Sequence, residues 1–365
     1  MRILVISEYS TTVSSRPEAE IFLGLQRDPE VQIDVMTDAE CEYSHKFRDA
    51  GMNVWIDHPS KKFSRSSIKT IRNRIKEYKY DVIHLFNSKA TINGIWAAMG
   101  LDVKVALYRG YAGNIFWYDP SAYLKYLHPR VDRVFCIAEA VEEHLAKAIF
   151  WNPKKVITIR KGHHPDWYKD VKAIDVKDEF NLPENAFVAA CVANTRPMKG
   201  IPYLVEAMNL IPEDLPIYLV LIGRGLDTEE VIEIVNSGPA KKRVIFAGYR
   251  KDALSIDKGA DCFVLASLYG EAITKAVIEA MSVGTAPIIT DIPGNRGLAI
   301  DGESGIVVPK ADAAALAKAL ELYYRNPQHR EQMAKGALKH MQTAFHTDRT
   351  VEGYKKAYLE LIAEN

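Results

Sequence analysis

The most informative part of this sequence is residues 267–291, which read SLYGEAITKAVIEAMSVGTAPIITD. The pattern predicts a strand that ends at Ser267, a short loop, and then a helix with Thr274 as its N-cap. The helix ends before Gly284, and another apolar strand follows. Strand, helix and strand in this order are the unit of a parallel sheet covered by helices.

The same alternation extends over the whole chain of 365 residues. A first series of apolar, strand-length runs covers residues 2–7, 31–36, 52–56, 81–86, 103–108, 132–137 and 156–159. A second series covers residues 187–193, 217–223, 244–248, 262–267, 286–290 and 305–309. A polar segment, 160–185, separates them and reads as the linker. The sequence therefore predicts two doubly wound, Rossmann-like α/β domains that face a cleft, residues 1–168 and 169–346.

Composition excludes several classes of function. Lys+Arg and Asp+Glu are equal at 47 each, which argues against a nucleic-acid partner. No apolar run approaches the roughly 18 residues of a membrane span, and the first strand begins without a signal-peptide pattern. The four cysteines lack metal-site spacing. We expect a cytoplasmic protein, either free or peripheral on the inner face of the plasma membrane.

The start of the helix at Thr274 suggests a phosphate site. The backbone N–H groups of Thr274, Lys275 and Ala276 lie at the positive end of the helix dipole, and Lys275 adds a charge. Two carboxylates flank this position: Glu279 is placed to hold the hydroxyls of a ribose and Glu271 those of a sugar. The alternative is that Glu279 only forms a surface ion pair with Lys275, four residues earlier.

Glu271, seven intervening residues and Glu279 resemble the E-x7-E signature of retaining glycosyltransferases, family 4 in particular. The segments 192–208, 219–225, 244–249, 259–267 and 290–309 follow this family's order, and the match that they mark extends over almost the whole second half. The resemblance implies a GT-B fold, with the last helix, 347–365, returning to the first domain. It implies transfer of a sugar from a nucleotide diphosphate with retention of configuration.

The resemblance also implies roles for single residues. Arg196 and Lys199 match the residues that grip the donor diphosphate, although alone they would read as solvated side chains. The backbone of Gly248, Tyr249 and Arg250 occupies the loop that reads the base. Family members use no catalytic metal and no cofactor, because fixed cations stabilise the leaving diphosphate. A UDP-sugar is favoured over a GDP-sugar as the donor.

The first half departs from the family in the loop after its first strand. Relatives often have a glycine-rich loop there, whereas this chain has residues 7–20, SEYSTTVSSRPEAE. The hydroxyls of Ser10, Thr11 and Thr12 are candidates for acceptor binding. The alternative is an ordinary loop before a helix that opens at Ser15, with Glu18 completing a capping box.

A second departure lies at Arg109, where many relatives have a histidine near the donor sugar. A guanidinium keeps its charge near neutral pH and cannot act as a base. It can bind an anionic group or stabilise the departing phosphate, and Asn114, in the glycine-containing loop that follows, is a further acceptor-binding candidate. The alternative is a loop with a different purpose in this chain. A helix is also expected near residues 120–127.

A basic amphipathic helix is predicted at 61–79, with eight Lys or Arg and one Glu. Its cationic face is either a solvated surface or a contact with anionic lipid.

The overall interpretation is a glycosyltransferase that acts on a saccharide or lipid-linked acceptor in surface polysaccharide, lipopolysaccharide or glycolipid synthesis. Two alternatives stay open: a nucleotide-sugar-binding protein without transferase activity, and a nucleotide-sugar epimerase.

Overall fold

The computed structural model describes residues 1–10, 12–111 and 113–364, including the side chains of all of these except 12–14 and 165. The chain divides into two compact units. The N-terminal unit comprises Met1–Gly162 and Phe345–Asn365, and the C-terminal unit comprises His163–Ala344. Each unit is built on its own sheet.

Within the described residues, the N-terminal unit holds a seven-stranded sheet and the C-terminal unit a six-stranded one. The strands of the first sheet are β1 (Arg2–Ile6), β2 (Gln32–Thr37), β3 (Val54–Ile56), β4 (Val82–Leu85), β5 (Lys104–Arg109), β6 (Arg133–Cys136) and β7 (Val156–Thr158). Those of the second are β8 (Phe187–Val192), β9 (Ile217–Ile222), β10 (Val244–Gly248), β11 (Cys262–Leu265), β12 (Pro287–Thr290) and β13 (Ile306–Val308). Within each sheet, every pairing of neighbouring strands in the described residues is parallel.

Helices lie between these strands, and in the described part of the chain three more follow the last strand. They are α1 (Thr12–Gln26), α2 (Glu42–Asp49), α3 (Arg65–Tyr78), α4 (Ser88–Ala98), α5 (Glu139–Ala148), α6 (Val176–Glu179), α7 (Ile201–Leu210), α8 (Glu229–Asn236), α9 (Ala253–Gly259), α10 (Lys275–Ser282), α11 (Ala313–Arg325), α12 (Pro327–Thr343) and α13 (Thr347–Ala363). Among the helices of the described residues, none combines the length and the apolar character that crossing a bilayer requires.

The strand order fixes where each unit can bind a ligand. It runs β3-β2-β1-β4-β5-β6-β7 in the first sheet and β10-β9-β8-β11-β12-β13 in the second. The direction of the order reverses between β1 and β4, and again between β8 and β11. Ligands of open α/β sheets bind beyond the carboxyl ends of the strands at such a switch point. The prediction of two doubly wound parallel sheets is confirmed.

The central strands are apolar on both faces, as helices on each side of a sheet require. Ile3, Leu4, Val5 and Ile6 of β1 are fully buried. Burying each such side chain contributes about 1.5–3 kcal/mol relative to leaving it exposed.

The final helix, α13, belongs to the N-terminal unit and packs on α1. Tyr354 and Tyr358 are buried beside Phe22. The Nδ1 atom of buried His84 on β4 lies 2.6 Å from the Tyr358 hydroxyl, which ties the end of the chain to the sheet. Burial lowers the pKa of His84 to about 3, so this histidine is neutral at physiological pH.

Two local predictions were wrong. Helix α1 begins at Thr12, not at Ser15, so Pro17 lies in its second turn and Glu18 forms no capping box. The prediction rested on the spacing of Ser15 and Glu18, a local capping pattern that does not by itself determine where a helix begins. The segment after Asp119 forms a single 3-10 turn, Pro120–Leu124, instead of a helix to 127. Pro129 follows closely, and proline disfavours a helical conformation in the residue before it.

Candidate functional site

In the C-terminal unit, the loops after β8 and β11 lie side by side at the switch point. The N–H of Leu268 donates to the carbonyl of Met198 at 2.8 Å. Gly200 has a φ of 65°, and a Cβ there would lie 2.0 Å from the carbonyl oxygen of Ala266. Only glycine combines this backbone with so close an approach. The two loops are therefore held in one fixed arrangement.

An ion pair crosses this switch point. The Nζ of Lys199 lies 2.5 Å from Oε1 of Glu271, and both side chains are close to nine-tenths buried. The hydroxyl of Ser267 donates to the same carboxylate oxygen at 3.0 Å. A Cβ on Gly294 would lie 2.1 Å from the Glu271 carbonyl oxygen, so the backbone of this loop is also closely packed. Residues 72 apart in sequence thus form one preorganised charged pair.

Helix α10 begins shortly after Glu271 in the chain, and Thr274 is its N-cap, as predicted. The Thr274 hydroxyl does not cap the helix. It donates instead to Oδ1 of buried Asn295 at 2.9 Å, and Nδ2 of Asn295 donates to the carbonyl of Thr290 at 2.9 Å. No side-chain cap therefore occupies the N–H groups of the first turn in this described segment. The N–H groups of Lys275 and Ala276 can therefore bind an anion at the positive end of the helix, whereas that of Val277 donates to the Thr274 carbonyl.

Glu279 lies in the second turn of α10. Its Oε1 is 3.0 Å from Nζ of Lys275, so the surface ion pair that competed with the functional interpretation is present. Behind it on α9 lies Asp257, a buried carboxyl that the sequence reasoning missed. Burial, and then the charge of Glu279, raise the pKa of Asp257 well above its usual range. The raised pKa favours the protonated, neutral form of Asp257, which adds no negative charge beside Glu279.

The structure does not bring Arg196 into the buried ion pair. Its side chain is exposed, while its backbone N–H donates to Oδ1 of Asn194 at 3.2 Å. Arg196 lines a groove of about 760 Å³ whose walls come from the starts of α7 and α8. Lys199 and Arg196, predicted to act together, therefore differ in environment: one is enclosed and paired, the other borders an open groove.

The predicted base-reading loop follows β10. Gly248 has a φ of 63°, and the ring of Tyr249 is 59% exposed, with the Arg224 guanidinium 4.8 Å from its centre. The Arg250 side chain is committed elsewhere, because it pairs with Asp252 at 2.7 Å and with Glu179 at 2.5 Å. The Tyr249 ring, by contrast, is exposed and accessible to a ligand.

The N-terminal unit has a pocket of about 190 Å³ at its own switch point. The loop after β1, the loop after β4 and the end of β5 all contribute to it. Among the residues that line it are Ser7, Glu8, Glu18, Phe86, Asn87 and Tyr108. The rings of Phe86 and Tyr108 stack with their centres 4.6 Å apart. The pocket therefore combines an aromatic wall with carboxylate, amide and hydroxyl groups.

Glu18 is the central charge of this pocket. One of its carboxylate oxygens accepts from the Tyr108 hydroxyl at 2.8 Å and from Nζ of Lys161 at 2.6 Å. The other oxygen, Oε2, is buried and has no partner among the described residues. Burial, and then the Glu18 charge, raise the pKa of Tyr108 well above its usual range, so this phenol stays a donor. The carboxylate has an unused acceptor that suits a ligand hydroxyl.

Sequence reasoning missed Glu18 because a capping box explained it locally. Its two partners lie 90 and 143 residues further along the chain, and no local pattern points to them. Of the three predicted hydroxyl residues nearby, Ser10 is exposed and hydrogen-bonds Asp38. Thr11 and the side chain of Thr12 lie outside the described residues.

Arg109 is the last residue of β5, and its guanidinium is held firmly. It donates to the carbonyl of Gly113 at 2.6 Å and lies 5.0 Å from the ring centre of Tyr126 and 5.6 Å from that of Tyr111. Asn114 adopts a φ of 58°, the left-handed conformation that asparagine tolerates better than most residues. Arg109 is therefore a fixed cation at the carboxyl edge of the first sheet.

Two family models match the chain: Glycosyltransferase Family 4 over residues 24–167 and Glycosyl transferases group 1 over residues 173–340. The chain belongs to the family 4 type of glycosyltransferases. This glycosyltransferase is 27% identical over 317 residues to the UDP-Gal:alpha-D-GlcNAc-diphosphoundecaprenol alpha-1,3-galactosyltransferase of Escherichia coli, an alignment that covers 81% of this chain and 79% of that one. It is 33% identical over 145 residues to the phosphatidyl-myo-inositol mannosyltransferase of Mycobacterium leprae, which covers 39% and 38%.

Solved structures share the fold over the full length of the glycosyltransferase. A glycosyltransferase from Rickettsia africae superimposes with a TM-score of 0.78 at 16% identity and covers 100% of this chain and 99% of that one. Anabaena HepE in complex with UDP gives a TM-score of 0.73 at 16% identity and covers 99% and 100%. The fold is GT-B, as the sequence predicted.

Proposed function

We propose that this glycosyltransferase moves a sugar from a nucleotide diphosphate donor to a saccharide or lipid-linked acceptor, with retention of configuration and without a metal ion. The observation that carries the proposal is the buried Lys199–Glu271 pair beside the open N-terminus of α10. This arrangement offers a cation and helix N–H groups to a diphosphate, and a carboxylate to the hydroxyls of the sugar attached to it.

The donor diphosphate binds Lys199 and the N–H groups of Lys275 and Ala276. When the bond to the sugar breaks, the leaving diphosphate gains negative charge, and fixed cations stabilise that charge without reorganisation. A cation enclosed by protein acts more strongly than one in water, because the effective dielectric constant is lower. Exposed Arg196 adds a second charge from the rim of its groove, with the bidentate geometry that phosphate favours.

Glu279 holds the ribose and the loop at Gly248–Arg250 holds the base, with the exposed Tyr249 ring as a stacking surface. A uracil base is favoured because the Escherichia coli relative is named for UDP-Gal and HepE was solved with UDP. The Lys275–Glu279 ion pair is compatible with this role. A ribose that hydrogen-bonds the carboxylate releases Lys275, half of whose side chain is exposed, toward the phosphates.

Retention is proposed because the spacing of Glu271 and Glu279 resembles the signature of retaining glycosyltransferases. Oε1 of Glu271 accepts hydrogen bonds from both Lys199 and Ser267, which hold the carboxylate in one position. These bonds favour Glu271 as a fixed acceptor for sugar hydroxyls. The acceptor hydroxyl then attacks on the face from which the diphosphate departs, and a phosphate oxygen takes its proton.

The acceptor binds in the N-terminal unit, at the pocket that holds Glu18. The stacked Phe86 and Tyr108 rings offer an apolar face, and Glu18 offers a hydrogen bond to a hydroxyl. A lipid-linked acceptor is favoured because the names of two relatives contain undecaprenol diphosphate and phosphatidylinositol. The reaction takes place at the cytoplasmic face of the membrane, where nucleotide sugars are made.

The test is a donor panel of UDP-galactose, UDP-glucose, UDP-N-acetylglucosamine and GDP-mannose, with a lipid extract as acceptor and with or without EDTA. The proposal expects nucleotide release from one donor, unchanged by EDTA, and a product whose anomeric proton coupling matches that of the donor. Saturating nucleotide at about 100 times its dissociation constant also raises stability by about 2.7 kcal/mol. Binding without release of nucleotide would identify a sugar-nucleotide-binding protein, and an inverted product would overturn retention.

A further inference from the structure

The N-terminal unit exposes an unusual group of large apolar side chains. We name it the aromatic surface: Trp117, Tyr118, Tyr123, Leu124, Phe150 and Trp151. Each of these side chains is between 41% and 65% exposed. Single exposed apolar residues need no explanation, but a contiguous group of this kind marks a site of interaction.

The aromatic surface is continuous although two separate segments form it. The Tyr123 ring stacks on Trp151 with centres 6.2 Å apart, and Phe150 packs edge-on against Trp151 at 5.3 Å. The Tyr123 hydroxyl donates to the carbonyl of Trp117 at 2.8 Å, and Trp117 contacts Tyr118 at 5.7 Å. The segment after β5 and the segment after α5 therefore present their rings together.

A buried frame supports these rings. Ala122 and Ile149 directly precede the exposed residues of the two segments, and they are only 3% and 1% exposed. The Asp119 carboxylate accepts from the N–H of Ser121 at 2.8 Å and so caps the 3-10 turn that holds Tyr123. The exposed rings thus project from an ordered part of the unit.

Cations adjoin the aromatic surface. Lys125 follows it directly in the chain. Burial, and then the charges of Lys62 and Arg109, lower the pKa of Lys125, while Asp119 opposes the shift. The backbone of Lys61 and Lys62 is held because Nδ2 of Asn93 donates to both of their carbonyls. Helix α3 contributes less than the sequence suggested, since Arg72 and Arg74 bond within the unit.

We propose that the aromatic surface, with Lys61, Lys62 and Lys125 beside it, docks on the headgroup region of a bilayer that contains anionic phospholipid. Tryptophan and tyrosine favour this region because their rings have an apolar body and a polar edge. Basic side chains nearby add attraction to anionic headgroups. A two-fold contact with a second copy is disfavoured, because it would bring the same cations together.

The proposal rests on the proposed function in one respect: docking explains how a lipid-linked acceptor reaches the enzyme. Arg109, which lies near Lys125, is a fixed cation at the carboxyl edge of the first sheet. A diphosphate or phosphate that joins a lipid to its sugar can therefore meet Arg109 while the lipid chain stays in the bilayer.

The experiment is co-sedimentation of the full chain with vesicles of phosphatidylcholine alone or with about one third phosphatidylglycerol. The proposal expects binding to the anionic vesicles, and a loss of at least about ten-fold in partitioning for Trp117→Ala/Phe150→Ala. Lys62→Gln/Lys125→Gln is expected to lose about five-fold per lysine on anionic vesicles alone. Leu210→Ser, which removes an exposed apolar side chain of the C-terminal unit, is the control and binds like wild type.

Three results would overturn the proposal: no sedimentation of wild type, equal partitioning of the folded aromatic variant, or a change in oligomeric state with that variant. Circular dichroism and melting temperature establish that each variant is folded.

Nucleotide release in detergent with a short-chain acceptor separates this proposal from the proposed function. A folded aromatic variant that keeps that activity and loses only vesicle binding supports docking. Vesicle binding by a wild type that uses no donor would leave docking intact and reject the proposed function.

Discussion

Each switch point of this glycosyltransferase holds a largely buried Lys–Glu ion pair, and the two differ in what surrounds it. In the C-terminal unit, an uncapped helix N-terminus follows Glu271 of the Lys199–Glu271 pair in the chain. In the N-terminal unit, Glu18 of the Lys161–Glu18 pair has a second oxygen without a partner among the described residues, beside two stacked rings. One site suits a ligand with several negative charges and the other suits hydroxyls. The same topology thus supports the donor and acceptor roles through different side chains.

The difference also shows in the backbone. At the C-terminal switch point, glycine at 200 and at 294 lets two loops approach within atomic contact. In the N-terminal pocket a side-chain contact joins the segments instead, since Lys161, close to Gly162, reaches Glu18 in α1. Substitutions at the first site should therefore act on donor chemistry, and those at the second on acceptor recognition.

The largest effect is expected for Lys199→Met. Removal of the enclosed cation takes away stabilisation of the leaving diphosphate and lowers kcat by about 10²- to 10³-fold. It also leaves Glu271 buried without its partner, which destabilises the C-terminal unit. Steady-state nucleotide release, with melting temperature in parallel, measures both effects. Lys318→Ala, which changes an exposed lysine of the same unit, is the matched control. Activity of Lys199→Met within three-fold of wild type would rule out the role of this lysine.

His84 and Asp257 are expected to change the stability of their units in opposite directions as the pH falls. Burial lowers the pKa of His84 to about 3, from an ordinary value of 6.5, so the unfolded chain takes up a proton that the folded N-terminal unit does not. Stability from this group falls as pH drops below 6.5, by about 2 kcal/mol between pH 7 and pH 5. The raised pKa of Asp257 acts in the other direction, since the folded C-terminal unit keeps a proton that the unfolded chain has lost.

Calorimetry at pH 7 and pH 5 measures this difference as the separation of two unfolding transitions. His84→Phe should flatten the pH dependence of the N-terminal transition, and Asp257→Asn that of the C-terminal one. Equal pH slopes in wild type and His84→Phe would contradict a neutral, buried histidine. The neighbours of His84 carry no charge near neutral pH: they are the rings of Phe22, Phe135 and Tyr354 and the Tyr358 hydroxyl.

A smaller effect is expected for Glu18→Gln. The amide keeps the shape but loses the charge that Tyr108 and Lys161 bond to, so kcat/KM for the acceptor falls about ten-fold, the effect of losing roughly 1.4 kcal/mol. Hydrolysis of the donor in the absence of acceptor is expected to stay unchanged. The assay compares the two rates in one preparation, with Glu143→Gln, a change to an exposed carboxylate on α5, as the control. Equal losses in transfer and hydrolysis would place Glu18 outside acceptor recognition.

The smallest effect is expected for Thr274→Val. Without the hydroxyl, Oδ1 of buried Asn295 loses its donor, which costs about 1 kcal/mol in stability. Nucleotide affinity should weaken by less than about ten-fold, because the N–H groups of α10 stay in place. Thermal melts with and without nucleotide give both numbers, and Thr343→Val on α12 serves as the control. A melting temperature equal to that of wild type would show that Asn295 is positioned by other contacts.

The sequence predicted the C-terminal unit more accurately than the N-terminal one, for a physical reason. Helix α10 was predicted with Thr274 as N-cap because capping, apolar spacing and Gly284 are local signals, and the structure confirms it. The start of α1 and the turn at Pro120–Leu124 depended on competing local signals and were predicted wrongly. The Glu18 and Asp257 environments arise from contacts between distant segments, which no single stretch of sequence encodes.

The site residues divide in the same way. Lys199 and Glu271 meet although they lie 72 residues apart, and their proximity was expected only through the order of segments that the chain shares with a family. Arg196 and Arg250 were assigned in the same manner. The structure gives them different surroundings, an exposed groove for one and two salt bridges for the other. A family motif locates a loop, while packing determines what each side chain in it can contact.

The most direct test of the account is calorimetric titration of UDP into wild type, Lys199→Met, Lys318→Ala and Glu18→Gln. The account predicts binding to wild type, Lys318→Ala and Glu18→Gln with similar affinity, and a loss of at least about ten-fold for folded Lys199→Met. Equal affinity for wild type and Lys199→Met, or loss of binding in Glu18→Gln, would contradict the assignment of the donor to the switch point of the C-terminal unit.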